Sequence, residues 1–450
     1  MTDHLGVVVI SVVLAAALLL LASCSFYHHE FRAPPPANQP YELYVIQADD
    51  FGSLWSVPDA QQALDHIKEL SERENVTVVV FIHGWHHNAD PVDDNYVDFA
   101  KQLKAIDQRL NARQIQVLRS ESSGQAATHV IGLYIGWRGR VLWGFLDYIT
   151  MWSRKEAAER VGDGDVREFI LRLQRQYLRA NSIRGRSDVK PTHMGLITFG
   201  HSFGGQVLIK TLGTTVERSL TERTNSLTSL IEPPPAPPQS SSVEVPIDSF
   251  GDINILINPA TEAYQYARID ALMRQASYPW CQLPQMLVLS SDKDTARSRF
   301  FPMARGVTRP FRPAFRNHEQ GALFGTALGM LESQQTHRLE VSEDRPSLED
   351  ADYETQAGQM RILREDFSAR VTFSHVTLEP KPGATVIPNA PALVTTEPGV
   401  LIRDHSDIFQ PRLWNFLIDY VTFLEGKRLL VQQLRLQQGV TTGRCPVMAE

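Results

Sequence analysis

The stretch Leu196–Leu208, LITFGHSFGGQVL, decides how this chain is read. At its centre Gly200-His201-Ser202-Phe203-Gly204 forms a G-x-S-x-G pattern. To the left, Met194–Phe199 is short, apolar and partly β-branched, which predicts a buried strand. To the right, Gly205–Leu212 is rich in helix formers, with an apolar face at Val207, Leu208 and Leu212. Strand, tight turn and helix are the context in which such a serine is held out as a nucleophile. Gly200, Gly204 and Gly205 supply the small residues that a crowded turn needs. The plain alternative is a Gly-rich connection with an idle serine.

Outside that stretch, apolar runs alternate with amphipathic ones. Strands are predicted at Tyr41–Gln47, Val76–Ile82, Val130–Gly136, Ile253–Ile257 and Met286–Leu289, with later ones at Val371–Leu378 and Val400–Arg403. Helices are predicted at Asp59–Glu72, with Asp59 as N-cap, at Tyr96–Leu110, at Glu156–Ala180 and from about Arg412. Alternation of this kind predicts an α/β domain with a mostly parallel sheet and helices on both faces. In such sheets, sites lie at the carboxyl ends of the strands.

Those ends carry the chemistry a serine would need. A serine hydroxyl requires a histidine to take its proton and an acid to orient that histidine. On a nucleophile-elbow sheet the chain order is serine, acid, histidine. The run at 286–289 leads into Ser-Ser-Asp-Lys-Asp, so Asp294 is the first candidate acid. Asp292 is the alternative, read here as a turn cap, with Asp252 and Glu262 next in line. His405 sits in a polar loop before the last helix and is the candidate base. His375 reads as a strand residue, and His318 and His337 as solvated. An oxyanion needs two donors, and the backbone N–H groups of Phe203 and of Trp85, after His83-Gly84, are placed to supply them. His83, His86 and His87 lack a convincing further ligand for a metal site, so neither a metal nor another cofactor is expected.

With serine, acid and histidine in this order, the chain resembles the α/β-hydrolase superfamily, and within it a group of bacterial serine esterases. The motifs FIHGWHHNA, YIGWRGR, GHSFGG, NPATEA and DHSDI carry the resemblance, which runs from about Tyr41 to Leu424. It implies an α/β-hydrolase fold and a Ser-His-Asp acyl hydrolase without cofactor; it does not imply a substrate, and a small-molecule or lipid ester is the prior expectation among esters, thioesters and amides. A catalytically idle fold, used as a binding or assembly module of the cell envelope, is the competing reading.

Composition and the N-terminus bound the setting. The chain has 450 residues, 43% hydrophobic and 21% charged, with a formal charge of −7 that argues against general nucleic-acid binding. Leu5–Leu21 is almost wholly apolar and ends in Leu21-Ala22-Ser23-Cys24, which resembles a lipobox with Cys24 as the lipidated residue. Ser25 would favour sorting to the outer membrane. A plain transmembrane anchor is the alternative, and both readings tether the chain to a membrane. The expected organisation is therefore a signal peptide at 1–23, a Pro-rich tether at 24–40, a hydrolase domain at 41–430 and a C-terminal tail at 431–450. Within the domain, a cap-like insertion is expected at 138–190, where Trp137, Trp143, Phe145, Tyr148, Met151 and Trp152 concentrate aromatic area. Asp163 and Asp165 read as turn residues, and 232–246 as a Pro/Ser-rich surface loop. Arg297, Arg299, Arg305, Arg309, Arg312 and Arg316 read as solvated surface, with a lipid-facing patch as the alternative. Cys281 and Cys445 are free to pair or not in an oxidising compartment.

Overall fold

The computed structural model describes residues 30–31, 38–123, 126–141, 150–181, 192–224, 245–247, 250–300, 314–342, 350–366, 369–440 and 444–448. The apolar run at 5–21, Cys24, Trp143, Phe145, Tyr148, most of the 232–246 loop, Arg305, Arg309 and Arg312 lie outside the described residues, as does the side chain of Arg299. Among the described residues no helix is long and apolar enough to cross a membrane.

The chain is an α/β protein built on one ten-stranded sheet. Its strands are β1 (Tyr41–Gln47), β2 (Val76–Ile82), β3 (His129–Gly136), β4 (Met194–His201), β5 (Ile253–Ile257), β6 (Met286–Ser291), β7 (His337–Val341), β8 (Val371–Phe373), β9 (Val376–Pro380) and β10 (Ala392–Glu397). Their spatial order is β1-β3-β2-β4-β5-β6-β10-β7-β9-β8. All pairings are parallel up to β7, and only the β7–β9 and β8–β9 pairings are antiparallel. Every residue of β2 (VTVVVFI) and of β4 is buried, as expected of central parallel strands covered on both faces.

The helices are α1 (Val57–Ser71), α2 (Asp94–Leu110), α3 (Arg113–Ser123), α4 (Met151–Asp163), α5 (Asp165–Asn181), α6 (Phe203–Thr221), α7 (Tyr264–Met273), α8 (His318–Gly325), α9 (Gln356–Arg364) and α10 (Pro411–Gln438). They pack in two groups. In one, α10 lies against α2, α3 and α9; in the other, α5 touches α1 and α4, and α6 touches α4 and α7. The long helix α10 buries Leu413, Trp414, Phe416, Leu417 and Tyr420 within about two turns, so it behaves as core rather than surface.

Several expectations are corrected. Ser56, not Asp59, caps α1, accepting from the Asp59 N–H at 3.3 Å. The helix expected at 156–180 is two helices broken at Gly164, where an added Cβ would lie 2.4 Å from the Gly52 carbonyl oxygen. Asp165 opens α5 and accepts from the Leu54 N–H at 3.0 Å, so it ties two loops rather than filling a turn. Both helices pack on the rest of the domain: α5 buries Val166, Phe169, Ile170 and Leu173 and contacts β4, and α4 packs along α6, while 142–149 and 182–190 of the expected cap-like insertion lie outside the described residues. Trp137 is likewise core, at 2% exposure. Val400–Arg403 is not a strand, and β7 and β10 were not anticipated. His337 lies buried on β7 rather than solvated, and His375 occupies a turn with φ of 62° between β8 and β9. The C-terminal segment is no tail: α10 continues to Gln438, and Cys445 forms a disulfide with Cys281 at a Cα separation of 5.7 Å. Nor is the tether free along its length, since Phe31 is hydrogen-bonded to Gln47 and packed on the core.

Topology places the site. The connection from β2 leads to β3 on one side, whereas β4 lies on the other side of β2 and continues to β5. The strand order therefore reverses between β2 and β4, and the crevice outside their carboxyl ends is where ligands bind in open parallel sheets.

Candidate active site

Ser202 stands in that crevice, between the end of β4 and the first turn of α6. Its backbone has φ 55° and ψ −120°, a conformation that non-glycine residues rarely hold. The turn is locked from both sides: the Ser202 N–H donates to Ile257 O at 3.1 Å, and Ser202 O accepts from Ala260 N at 2.9 Å. The hydroxyl makes no cap bond to its own helix. Two glycines let the strand ends close on each other. A Cβ at Gly204 would fall 2.0 Å from Ile82 O, and one at Gly84 would fall 2.7 Å from Ser202 Cβ.

Ser202, His405 and Asp294 are brought together from three strand ends 203 and 111 residues apart in sequence. Ser202 Oγ lies 2.7 Å from His405 Nε2, and His405 Nδ1 lies 2.7 Å from Asp294 Oδ2. Burial alone would push the Asp294 carboxyl up, but the His405 imidazole and the Arg297 guanidinium overcome it and hold the group well below the usual carboxylate range. An ionised Asp294 only accepts. His405 Nδ1 therefore carries a proton, and Nε2 is left to accept from the Ser202 hydroxyl. Asp294 is fully buried, Ser202 is 2% exposed, and the His405 side chain is 18% exposed.

Asp292 stands apart from this group. It is exposed, and burial of part of its carboxyl, set against Lys381, Arg297 and Lys293, still leaves its pKa raised. It does not cap the turn as expected; Ser291 Oγ does, accepting from the Lys293 N–H at 3.2 Å. The two further candidates are engaged elsewhere. Asp252 accepts from Tyr177 OH and from Leu196 N, and Glu262 pairs with Lys155 at 3.3 Å.

Four side chains to which sequence reading gives no part in the site hold the trio in place. Arg297, read as surface, is buried and donates from Nε to Asp294 Oδ2 at 2.7 Å, while its Nη1 donates to Leu328 O at 3.0 Å. Glu397 closes β10, and its carboxylate accepts four backbone N–H groups, from Gly399, Val400, Leu401 and Ile402 at 2.9–3.2 Å. That clasp shapes the loop leading to His405. His201 Nε2 and Asn258 Nδ2 then donate to the His405 carbonyl, at 2.9 and 3.3 Å. The sequence did contain signals: Arg297 is one helical turn after Asp294, and His201 precedes the serine.

The loop after β2 is equally fixed. His83 Nε2 accepts from Trp137 N at 3.0 Å, so Nδ1 carries the proton and donates to Gly84 O at 2.9 Å. Burial pushes the His83 pKa down to about 4, which keeps it neutral. Trp85 and Phe203 flank Ser202, their rings 6.3 Å apart. Phe203 is the first residue of α6, where backbone N–H groups have no acceptor within the helix. His87 Nδ1 meets Asp93 Oδ1 at 2.9 Å, so His83 and His87 have separate tasks. Among the described residues no group of three or more His, Cys, Asp or Glu side chains is placed to hold a metal ion.

No protein-family model, curated protein or solved structure matches the chain.

Proposed function

We propose that the chain is a membrane-tethered serine hydrolase of the α/β-hydrolase fold that cleaves carboxylic esters through an acyl-enzyme. The observation that carries this reading is the single imidazole of His405 bridging Ser202 Oγ and the buried Asp294, 2.7 Å on each side. Ser202 attacks the acyl carbon as His405 Nε2 takes its proton. Asp294 holds the tautomer and stabilises the imidazolium. The N–H groups of Phe203 and Trp85 receive the oxyanion. His405 then returns the proton to the leaving alcohol, and water releases the acyl group by the same steps reversed. The residues present call for no cofactor.

The strained backbone at Ser202 supports the same reading, because strain of this kind persists where a side chain must be aimed. The Cys281–Cys445 disulfide fits an oxidising compartment and so favours the cell envelope, with Cys24 as lipid anchor and the outer membrane as destination. A fluorophosphonate probe tests the chemistry. It should label wild type and not Ser202→Ala, and a panel of ester, thioester and amide substrates should then rank esters first. An unlabelled wild type would favour the idle binding module instead.

A further inference from the structure

Gln47 closes β1 and so stands on the carboxyl edge of the sheet, the edge that carries Ser202. Its side-chain amide grips the backbone of Phe31. The Phe31 N–H donates to Gln47 Oε1 at 2.9 Å, and Gln47 Nε2 donates to Phe31 O. Cys24 lies seven residues before Phe31. Seven residues span at most roughly 25 Å when fully extended. Along the edge, β1 and β4 are separated by three strand spacings, roughly 14 Å. Phe31, where the leash from Cys24 ends, and the candidate serine thus lie on the same edge of the sheet, while the amino edge is farther off by the length of the strands.

The corner where the leash is gripped is apolar and charge-balanced. Gln47 O accepts from Trp55 N at 2.9 Å, which folds the 48–55 loop beside it. That corner exposes Phe51 by 79%, Val57 by 60% and Trp55 by 38%. Of its acids, Asp50 is bound by Arg138 and Arg154, Asp49 accepts from the Phe51 and Ser53 N–H groups, and Asp59 is exposed in the first turn of α1. On neighbouring α4, Glu156 faces Arg160, Glu159 faces Lys155 and Asp163 faces Lys210. Arg160 also stands 5.8 Å from the Phe51 ring centre. Exposed aromatics beside a cation suit the headgroup boundary of a bilayer.

We propose that this corner docks on the bilayer that holds Cys24, so that the crevice of Ser202 opens toward lipid. The substrate class is then the esters of membrane-resident amphiphiles, taken from the headgroup layer rather than from bulk water. The inference rests on the membrane-tethered hydrolase reading.

The test uses the full chain, lipidated and inserted in vesicles of phosphatidylethanolamine and phosphatidylglycerol. With Cys24 acylated and Cys281 bonded to Cys445, a new cysteine is the free thiol for labelling. Val57→Cys labels the corner. Leu178→Cys labels the opposite edge, next to Asn181, whose side chain bonds Met194 at the start of β4. Headgroup-level nitroxide lipids should quench a fluorophore at 57 and spare one at 178. Inserting a Gly/Ser linker of about 20 residues between Tyr27 and His28 should lower turnover of a vesicle-embedded ester about tenfold, while a soluble short-chain ester is hydrolysed as before. Equal quenching at both labels, or more at 178, in protein that stays in the membrane pellet would overturn the docking. Protein found in the supernatant would overturn the anchor and the docking together. Absent turnover of the soluble ester by wild type would count against the hydrolase reading alone, and the quenching pattern would still decide the docking.

Discussion

Arg297 and His405 converge on one oxygen: Arg297 Nε and His405 Nδ1 each lie 2.7 Å from Asp294 Oδ2. The arginine is buried and bonds the same oxygen as the imidazole, so it fixes the carboxylate against which the imidazole is aligned. Arg297→Met would leave a buried carboxylate with one charge partner fewer, and breaking a buried pair in this way costs about 3–5 kcal/mol. Chemical unfolding should show that loss. Fluorophosphonate labelling of the folded fraction should also slow, since the acid is no longer held. Unchanged stability would mean that Arg297 is a bystander.

The two neighbouring acids should separate cleanly. Asp294→Asn replaces the group that fixes the imidazole tautomer, and such a change can cost about 10⁴ in rate. Asp292→Asn alters an exposed carboxylate and should stay within about tenfold of wild type, a barrier change of ~1.4 kcal/mol. Steady-state ester hydrolysis of the two variants decides between them, and the reverse pattern would move the acid to Asp292.

Glu397 touches none of the trio, yet four N–H groups of the loop before His405 end on its carboxylate. Glu397→Gln keeps the shape but turns a donor toward part of that cluster, at a cost of about 1–3 kcal/mol. The expected signature is a kcat lower by about tenfold or more with KM little changed, because positioning and not binding is lost. A fall in KM-dependent binding alone would show that the loop's place does not matter.

Acid should destabilise the fold earlier than carboxylate titration would suggest. Burial holds His83, His193 and His201 below the ordinary imidazole value of 6.5, with His83 at about 4. The unfolded chain binds those protons first, so stability falls as pH drops from about 6.5 toward 4. Asp252 opposes this, since burial raises it from 3.8 to about 6 and its contribution is lost as pH rises through that range. Burial also raises Asp107, Glu217, Asp270, Asp292 and Glu365, which oppose the trend further toward acid, so the imidazoles set the sign in the range just below 6.5 and above the carboxyls. The denaturant midpoint should therefore fall from pH 7 to pH 6, and His193→Gln should flatten that fall. Level midpoints would refute it.

Much of this was legible from the residues. β2 and β4 are near-continuous apolar runs because both their faces are covered, and Ser202, Asp294 and His405 each follow a strand or short apolar run into a polar loop. The strands β7 and β10 escaped for a physical reason. HRLEV carries three polar residues, and ALVTTE buries Thr395, Thr396 and Glu397, so neither reads as a core strand until its neighbours are known. Glu397 is buried because the chain wraps its own N–H groups around it, a long-range effect that no pattern of single residues displays. Arg297 reads as surface for the same reason, since it is one of six arginines between 297 and 316 and only the acid's location reveals it as buried. The pairing of two cysteines 164 residues apart is likewise invisible without the fold.

That bond also divides the molecule in a way that distances do not express. Cys281 and Cys445 close a covalent ring that contains Asp294 and His405 and leaves Ser202 outside. One backbone cut anywhere in the ring would keep acid and base on pieces still joined through sulfur, and would keep Ser202 joined to them as well. Only a nick combined with a reductant would let the pieces of the ring drift apart. A cut between Ser202 and Cys281, by contrast, would sever the nucleophile from both partners at once, leaving packing alone to hold the site together.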